Sequence, residues 1–478
     1  MADHINLKDL PTEGERLDFN KVSRYAVILL GIGGIGLVVS LVLLLIPTTQ
    51  KAYGFSWLLG TVFFFTIAVG GIFWTLLHHA SNSGWGIAVR RVFENVGSMI
   101  WLPGVLMLPL FLISPVKHKL WHWTEIEDNA KDKASQTEYI NKYKAEHEAL
   151  VAERKATVET ATAAGDLNEA AMAQASIDDL GEFDQSKIAG KIIKKKDAIL
   201  YGKKAYLNQI FFWIRYIVIF GLLTYLIWQM RKWSVMQDEI GGLKLTFRMR
   251  RAACGFMVIF AIAMTFGAID WVMAIDHHWF STMYGVYFFA GSALSGMAVI
   301  ILVVTMLRNL GYLKNIVSVE HYHIMGKLMF AFVVFWGYIT FSQYFLIWYA
   351  NITEETKYFL IRNTEFWNCV SIALLVFHFI VPFLLLLPAW MKRTPRYLAF
   401  MACFIVVVHL LDVYLMIIPM RGPVVAGNYV IPGAILGDLL AVVTVGCLFA
   451  GAFLYSLRKY SLFPCRDPRL LESVNAHN

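Results

Sequence analysis

Ten stretches of about 20 apolar residues run through this chain, near 25–46, 55–77, 92–113, 208–228, 252–275, 286–307, 328–349, 367–390, 398–419 and 436–457. A run of roughly 18 or more such residues reads as a transmembrane helix, because about 20 residues at a rise of 1.5 Å cross the hydrocarbon core. The pattern predicts an all-α polytopic membrane protein. Hydrophobic residues make up 58% of the 478 and charged residues 16%, which excludes an ordinary soluble domain. The chain divides into a polar tail (1–24), three spans (25–113), a polar insertion (114–207), seven spans (208–457) and a second tail (458–478). Mixed charge at the start, with no short apolar segment before a small-residue cleavage site, reads as an uncleaved anchor.

Lys and Arg set the orientation. With ten spans both termini share a side. That side collects Arg90 and Arg91, then Arg231, Lys232, Lys244, Arg248, Arg250 and Arg251, then Arg308, Lys314 and Lys327, then Lys392, Arg393 and Arg396. The opposite short loops hold only Lys51, Lys357, Arg362 and Arg421. Both termini are therefore expected in the cytoplasm. This asymmetry accounts for the formal charge of +8 without a nucleic-acid partner. Trp57, Trp121, Trp123, Trp279 and Trp348 near outer span ends read as an interfacial aromatic belt. The insertion falls outside; long loops translocate whatever their charge. Within it, Ser135-Gln-Thr-Glu138 and Asp166-Leu-Asn-Glu169 read as capping boxes, with Gly165 between two helices. A polar helical hairpin with so little core of its own is expected to dock on a partner outside the membrane, the alternative being a mobile solvated loop.

Several familiar signals carry no chemistry here. The five cysteines form no CxxC, so neither an iron–sulfur cluster nor structural zinc is supported, and they read as small buried apolar residues. Gly31-Ile-Gly33-Gly34-Ile-Gly36 matches a dinucleotide-binding pattern but lies inside the first span with no strand before it, so close helix packing is expected. His277-His278 is similar to a copper-binding pair, yet the spans supply only His378 and His409 at depth. No span carries the paired histidines that a b-type haem needs. His321 and His323 are expected in a solvated loop. The residues predict neither a metal nor a redox cofactor in this chain.

What remains is a set of polar groups inside the membrane, each costing on the order of 2.5–3.5 kcal/mol or more at the bilayer centre. His409 lies near mid-span with Asp412 three residues on, so both share a helix face. His378 lies at similar depth on the preceding span. Arg215 and Asp270 sit about 10 and 8 Å below the outer surface, counting 1.5 Å per residue, and could pair. Asp276 and Asp438 are two further acids in or beside the spans. Ser342, Gln343 and Tyr344 occupy the outer half of the seventh. A histidine with a neighbouring carboxylate can accept and release a proton near neutral pH, so these nine residues other than Asp438 are the candidate proton pathway. The competing reading is helix–helix hydrogen bonding and a simple ion pair.

The run Asp270-Trp-Val-Met-Ala-Ile-Asp276-His-His-Trp279-Phe-Ser281-Thr-Met-Tyr-Gly285 resembles the NrfD-like polytopic subunits of bacterial alternative complex III, a quinol:electron-acceptor oxidoreductase. So does Gly326-Lys-Leu-Met-Phe330 through Trp336-Gly-Tyr338, Ser342-Gln-Tyr344, Trp348, Asn351 and Glu355. Gly84-Trp85 with Arg90-Arg91 is similar to the F-type member. The resemblance implies two four-helix bundles, spans two to five and six to nine, flanked by the first and last helices. It implies the bacterial cytoplasmic membrane, a second NrfD-like membrane subunit, an extracytoplasmic iron–sulfur protein, c-type cytochrome subunits and, in some assemblies, a terminal oxidase. Haem c and iron–sulfur clusters would then belong to partners. Quinol oxidation is placed at the other NrfD-like subunit, leaving this chain as scaffold and proton route, not catalytic alone, with quinone contact open. The alternative from another class is a stand-alone secondary transporter or ion channel, which the lack of paired Gly/Pro-broken helices disfavours.

Overall fold

Backbone amides in hydrocarbon have no water to bond, so each apolar run must close its own hydrogen bonds as a helix. The computed structural model describes residues 14–180, 188–422 and 432–476. Ten helices long and apolar enough to cross a membrane occur among them, and this is a multi-pass, all-α membrane protein. In order they are Asn20–Leu45, Gln50–Ala80, Arg90–Leu112, Gln209–Ile240, Leu243–Ile275, Tyr284–Asn309, Val319–Ala350, Phe366–Leu386, Pro395–Arg421 and Ala434–Leu457. Most overshoot the apolar runs because polar residues continue the helix past the hydrocarbon. The eighth stops short of residue 390: Pro388 offers no N–H to continue it.

The second span is the hub, almost wholly buried. It packs against the third, fifth, sixth, ninth and tenth spans, and the sixth in turn packs on the seventh and ninth. The second and sixth helices touch backbone to backbone. A Cβ on Gly70 would come within 2.2 Å of the Ser292 carbonyl oxygen and 2.7 Å of Gly296 Cα, so only glycine allows that approach. The tenth span lies on the second and the first on the tenth. Gly33 and Gly36 meet Leu448 and Thr444 there, so part of the glycine run of the first span does serve close packing, and Gly31 and Gly34 have open space.

Residues 121–213 cluster as a unit of their own. Helix Lys133–Ala163 turns at Gly165 into helix Leu167–Leu180. Asp166 caps the second helix, its Oδ1 accepting from the amides of Asn168 and Glu169 at 3.1 Å each. Capping at Ser135 is not what forms: the first helix starts at Lys133, two residues earlier. The side chains of Ser135, Tyr139 and Tyr143 lie outside the described residues, as do residues 1–13 of the N-terminal tail. Gln209 ties the unit's helix His122–Lys131 to the start of the fourth span, bonding Glu127 and Asp128.

Three expectations about exposure fail. Trp57, Trp121, Trp123 and Trp279 are buried and only Trp348 is exposed, because indoles at span ends here fill helix contacts; Trp57 donates to the Leu106 carbonyl. Cys254, Cys369 and Cys403 are exposed on the helix surfaces rather than buried. His321 and His323 are buried, not solvated: the seventh span begins at Val319, and His321 Nδ1 closes a capping box with Ser318.

Candidate functional site

Pro395 opens the ninth span at a position where a missing N–H costs nothing. Fourteen residues on, about 21 Å along the axis, His409 reaches mid-span, and Asp412 follows one turn later. Both are buried. His409 Nδ1 lies 3.6 Å from Asp412 Oδ2, and its Nε2 is 3.0 Å from the Thr66 hydroxyl of the second span. Trp336 Nε1 of the seventh span donates to Asp412 Oδ2 at 3.1 Å, and the Tyr287 hydroxyl of the sixth donates to Oδ1. Four spans thus converge on one carboxylate and its histidine. No Lys or Arg pairs with Asp412 among the described residues.

His378 completes the group. It sits in a π-helical turn, Leu375–Ile380, a local widening of the eighth span of the sort that recurs at functional positions. Its ring lies 4.0 Å from that of Trp336 and 6.0 Å from that of His409. Neither of its nitrogens has a hydrogen-bond partner among the described residues, although the side chain is buried. Room for His409 is kept by Gly291 of the sixth span, where a Cβ would lie 2.7 Å from His409 Cε1. Ligating atoms of His378, His409 and Asp412 all lie within 4.8 Å of one another, so a single cation could also be shared by them. The arrangement suits a proton held between imidazole and carboxylate: Tyr287 and Trp336 donate to Asp412, the Thr66 hydroxyl donates to the Phe63 carbonyl and so accepts from His409, and water has little access.

From Asp412 a line of phenols leads toward the end of the helices opposite the two tails. Tyr287 lies in the first turn of the sixth span, its ring 6.2 Å from that of Tyr284. Tyr284 is hydrogen-bonded to Tyr358 on the short helix Thr353–Ile361 that follows the seventh span. Arg362 stacks over Tyr358 at 3.5 Å and donates to the carbonyls of Leu415 and Met416. Burial pushes the Tyr358 phenol up, and the neighbouring guanidinium pulls it partly back. This line, not Ser342–Tyr344, runs from the cluster toward the end opposite the tails. Tyr344 is half exposed, packing edge-on against Phe359, and Ser342 is half-buried. Gln343 is buried two turns beyond Trp336, and no contact joins it to the cluster among the described residues.

The other intramembrane charges are closed pairs. Arg215 Nε donates to Asp270 Oδ2 at 2.6 Å, joining the fourth and fifth spans. Arg421 donates both Nη groups to Asp438, at 3.0 and 3.4 Å, and Ser56 and Tyr414 donate to the same carboxylate. Asp276 lies outside the spans, where it accepts from the His278 amide at 3.1 Å and sits 3.5 Å from Lys357 Nζ.

A further buried ionic group lies at the end of the bundle that holds both tails. Arg90 pairs with Asp467 and bonds Gln237, at 2.6 and 2.7 Å. Arg91 pairs with Asp238 at 2.6 Å, and Glu94 lies 3.8 Å from each arginine. Residues that the sequence assigns to a basic loop are in fact inside the fold. Glu94 follows at helical spacing, but the closer carboxylates, Asp238 and Asp467, come from the fourth span and the C-terminal tail, and no local spacing announces them. The charge of Arg90-Arg91 is thereby neutralised, and the remaining basic residues carry the orientation signal. Neither a protein-family model nor a curated protein matches this chain.

Proposed function

We propose that this chain is a cofactor-free membrane subunit of a respiratory quinol:cytochrome c or quinol:oxidase oxidoreductase of the alternative complex III kind, in which it serves as scaffold and carries protons. One observation carries the reading: a carboxylate buried at membrane depth with histidines rather than a cation beside it, held by Tyr287 and Trp336. A charge there with no cation to cancel it is costly, and two imidazoles stand beside it to exchange a proton. The likeness of 270–285 and 326–355 to NrfD-like subunits supports the choice of complex. In this reading both termini face the cytoplasm of a bacterium and the 114–207 insertion lies against extracytoplasmic partners. Haem c and iron–sulfur clusters reside in those partners, and quinol is oxidised beside a second NrfD-like subunit.

Mild-detergent extraction of the tagged chain from its native membrane tests this. Co-purifying c-type haem absorbance and an iron–sulfur electron-paramagnetic signal are expected in fixed proportion to the chain. A stable oligomer of this chain alone, free of both signals, would favour a transporter or channel. Protease added to spheroplasts should cut 114–207 in the isolated subunit and cut it slowly in the complex; protection in both would overturn the orientation.

A further inference from the structure

Three of the basic residues at the tail-bearing end of the bundle line a single cavity of about 530 Å³. Arg308 comes from the last turn of the sixth span, Lys314 from the following loop, and Arg396 from the first turn of the ninth span. Thr305, Asn309, Tyr322, Thr394 and Pro395 complete the wall, which contains no carboxylate. None of the three cations is ion-paired among the described residues, whereas Arg393 nearby is matched by Glu320 at 3.5 Å. The floor is fixed: Arg308 stacks over the Tyr322 ring at 5.5 Å, and the Tyr322 hydroxyl bonds Thr305 Oγ1 at 3.1 Å. The ninth span begins at this wall, so the unpaired amides of a 23-residue helix add partial positive charge.

The surroundings say which anion fits. All three helix ends that build the cavity are span ends, so it opens at the level of the bilayer interface. Phe400, one turn below Arg396 on the same helix face, is exposed, as is Trp390, whose ring lies 6.2 Å from that of Tyr397. Charge above and exposed aromatic surface below match a headgroup with its acyl chains. We infer that this cavity binds the phosphate headgroup of an anionic glycerophospholipid. Its size falls in the ~300–1,000 Å³ range of small-molecule sites, and basic pockets between transmembrane helices on this side take such headgroups. Free phosphate shares the recognition chemistry but would make no use of the apolar skirt.

Native mass spectrometry of the purified, delipidated assembly, titrated with phosphatidylglycerol, phosphatidylcholine or inorganic phosphate, tests the inference. One tightly held phosphatidylglycerol is expected, which phosphatidylcholine does not match and millimolar phosphate does not displace. The variant Arg308→Gln/Lys314→Gln/Arg396→Gln should hold it on the order of 100-fold more weakly, at about fivefold per cation. Lys232→Gln/Lys244→Gln/Arg251→Gln, three exposed cations elsewhere on the same face, should leave that binding unchanged. Should the first variant not purify, Arg396→Gln alone is expected about fivefold weaker. Equal affinity in the cavity variants, or an equal loss in the control, would overturn the site. Full displacement by inorganic phosphate would make it a site for a soluble phosphate instead.

Discussion

Two kinds of buried carboxylate stand side by side in this membrane protein. Asp270 and Asp438 each meet an arginine at 2.6 and 3.0 Å, so their charge is cancelled and fixed. Asp412 meets a tyrosine, a tryptophan and a histidine, and its charge depends on where a proton resides. An arginine stays protonated at any pH the membrane sees, so the first kind joins helices and nothing else. A histidine does not, so the second kind can change state. The difference separates carboxylates held by a fixed cation from one held by a histidine and neutral donors, on which the proposed proton role rests, even though all three acids look alike as isolated intramembrane charges.

The largest expected effect comes from opening a closed pair. Asp270→Ala leaves Arg215 buried without its partner, a loss of about 3–5 kcal/mol that should show as poor assembly in detergent. Arg215→Ala/Asp270→Ala should recover part of it; simply additive losses would mean that the two do not interact. Tyr287→Phe removes a donor to Asp412 and should cost about 1.5–3 kcal/mol, as hydrogen bonds to charged groups do, read as a fall in thermal midpoint. Gly291→Ala should cost roughly 1–3 kcal/mol by overpacking against His409, and unchanged stability would show that the second bundle yields there. Tyr344→Phe is the smallest change. Its side chain is half exposed, so stability should move by less than about 0.5 kcal/mol and proton transfer not at all. A large effect would return that residue to the path.

Legibility in the sequence followed the range of the interaction. The ten spans could be read because hydrophobicity is summed locally along each helix. Arg215 with Asp270 could be matched by depth, since rise per residue converts position into height. His409 and Asp412 share a face by spacing alone. Thr66, Tyr287 and Trp336 could not be assigned to that carboxylate, because they arrive from three other spans and helix rotation is set by packing. Arg90 and Arg91 misled for the same reason: a basic pair at a span end reads as a loop until Asp238 and Asp467 fold over it. Depth along the seventh span gave no direction for the side chains of Ser342, Gln343 and Tyr344. The π-helical turn at His378 left no mark in the sequence that we can identify.

The central claim is that Asp412 with His378 and His409 exchanges protons while Asp270 does not. Under the proposed function it is tested most directly by proton movement in proteoliposomes carrying the assembled complex, driven by quinol oxidation. Asp412→Asn keeps the size of the side chain and removes its charge, and Asp270→Asn serves as the matched control in whatever fraction assembles. The account predicts that Asp412→Asn leaves the partner haems intact but lowers protons moved per electron or slows turnover several-fold, with assembled Asp270→Asn complexes unaffected in stoichiometry. Full turnover with unchanged proton stoichiometry in Asp412→Asn would contradict it and leave the cluster as a helix-packing device.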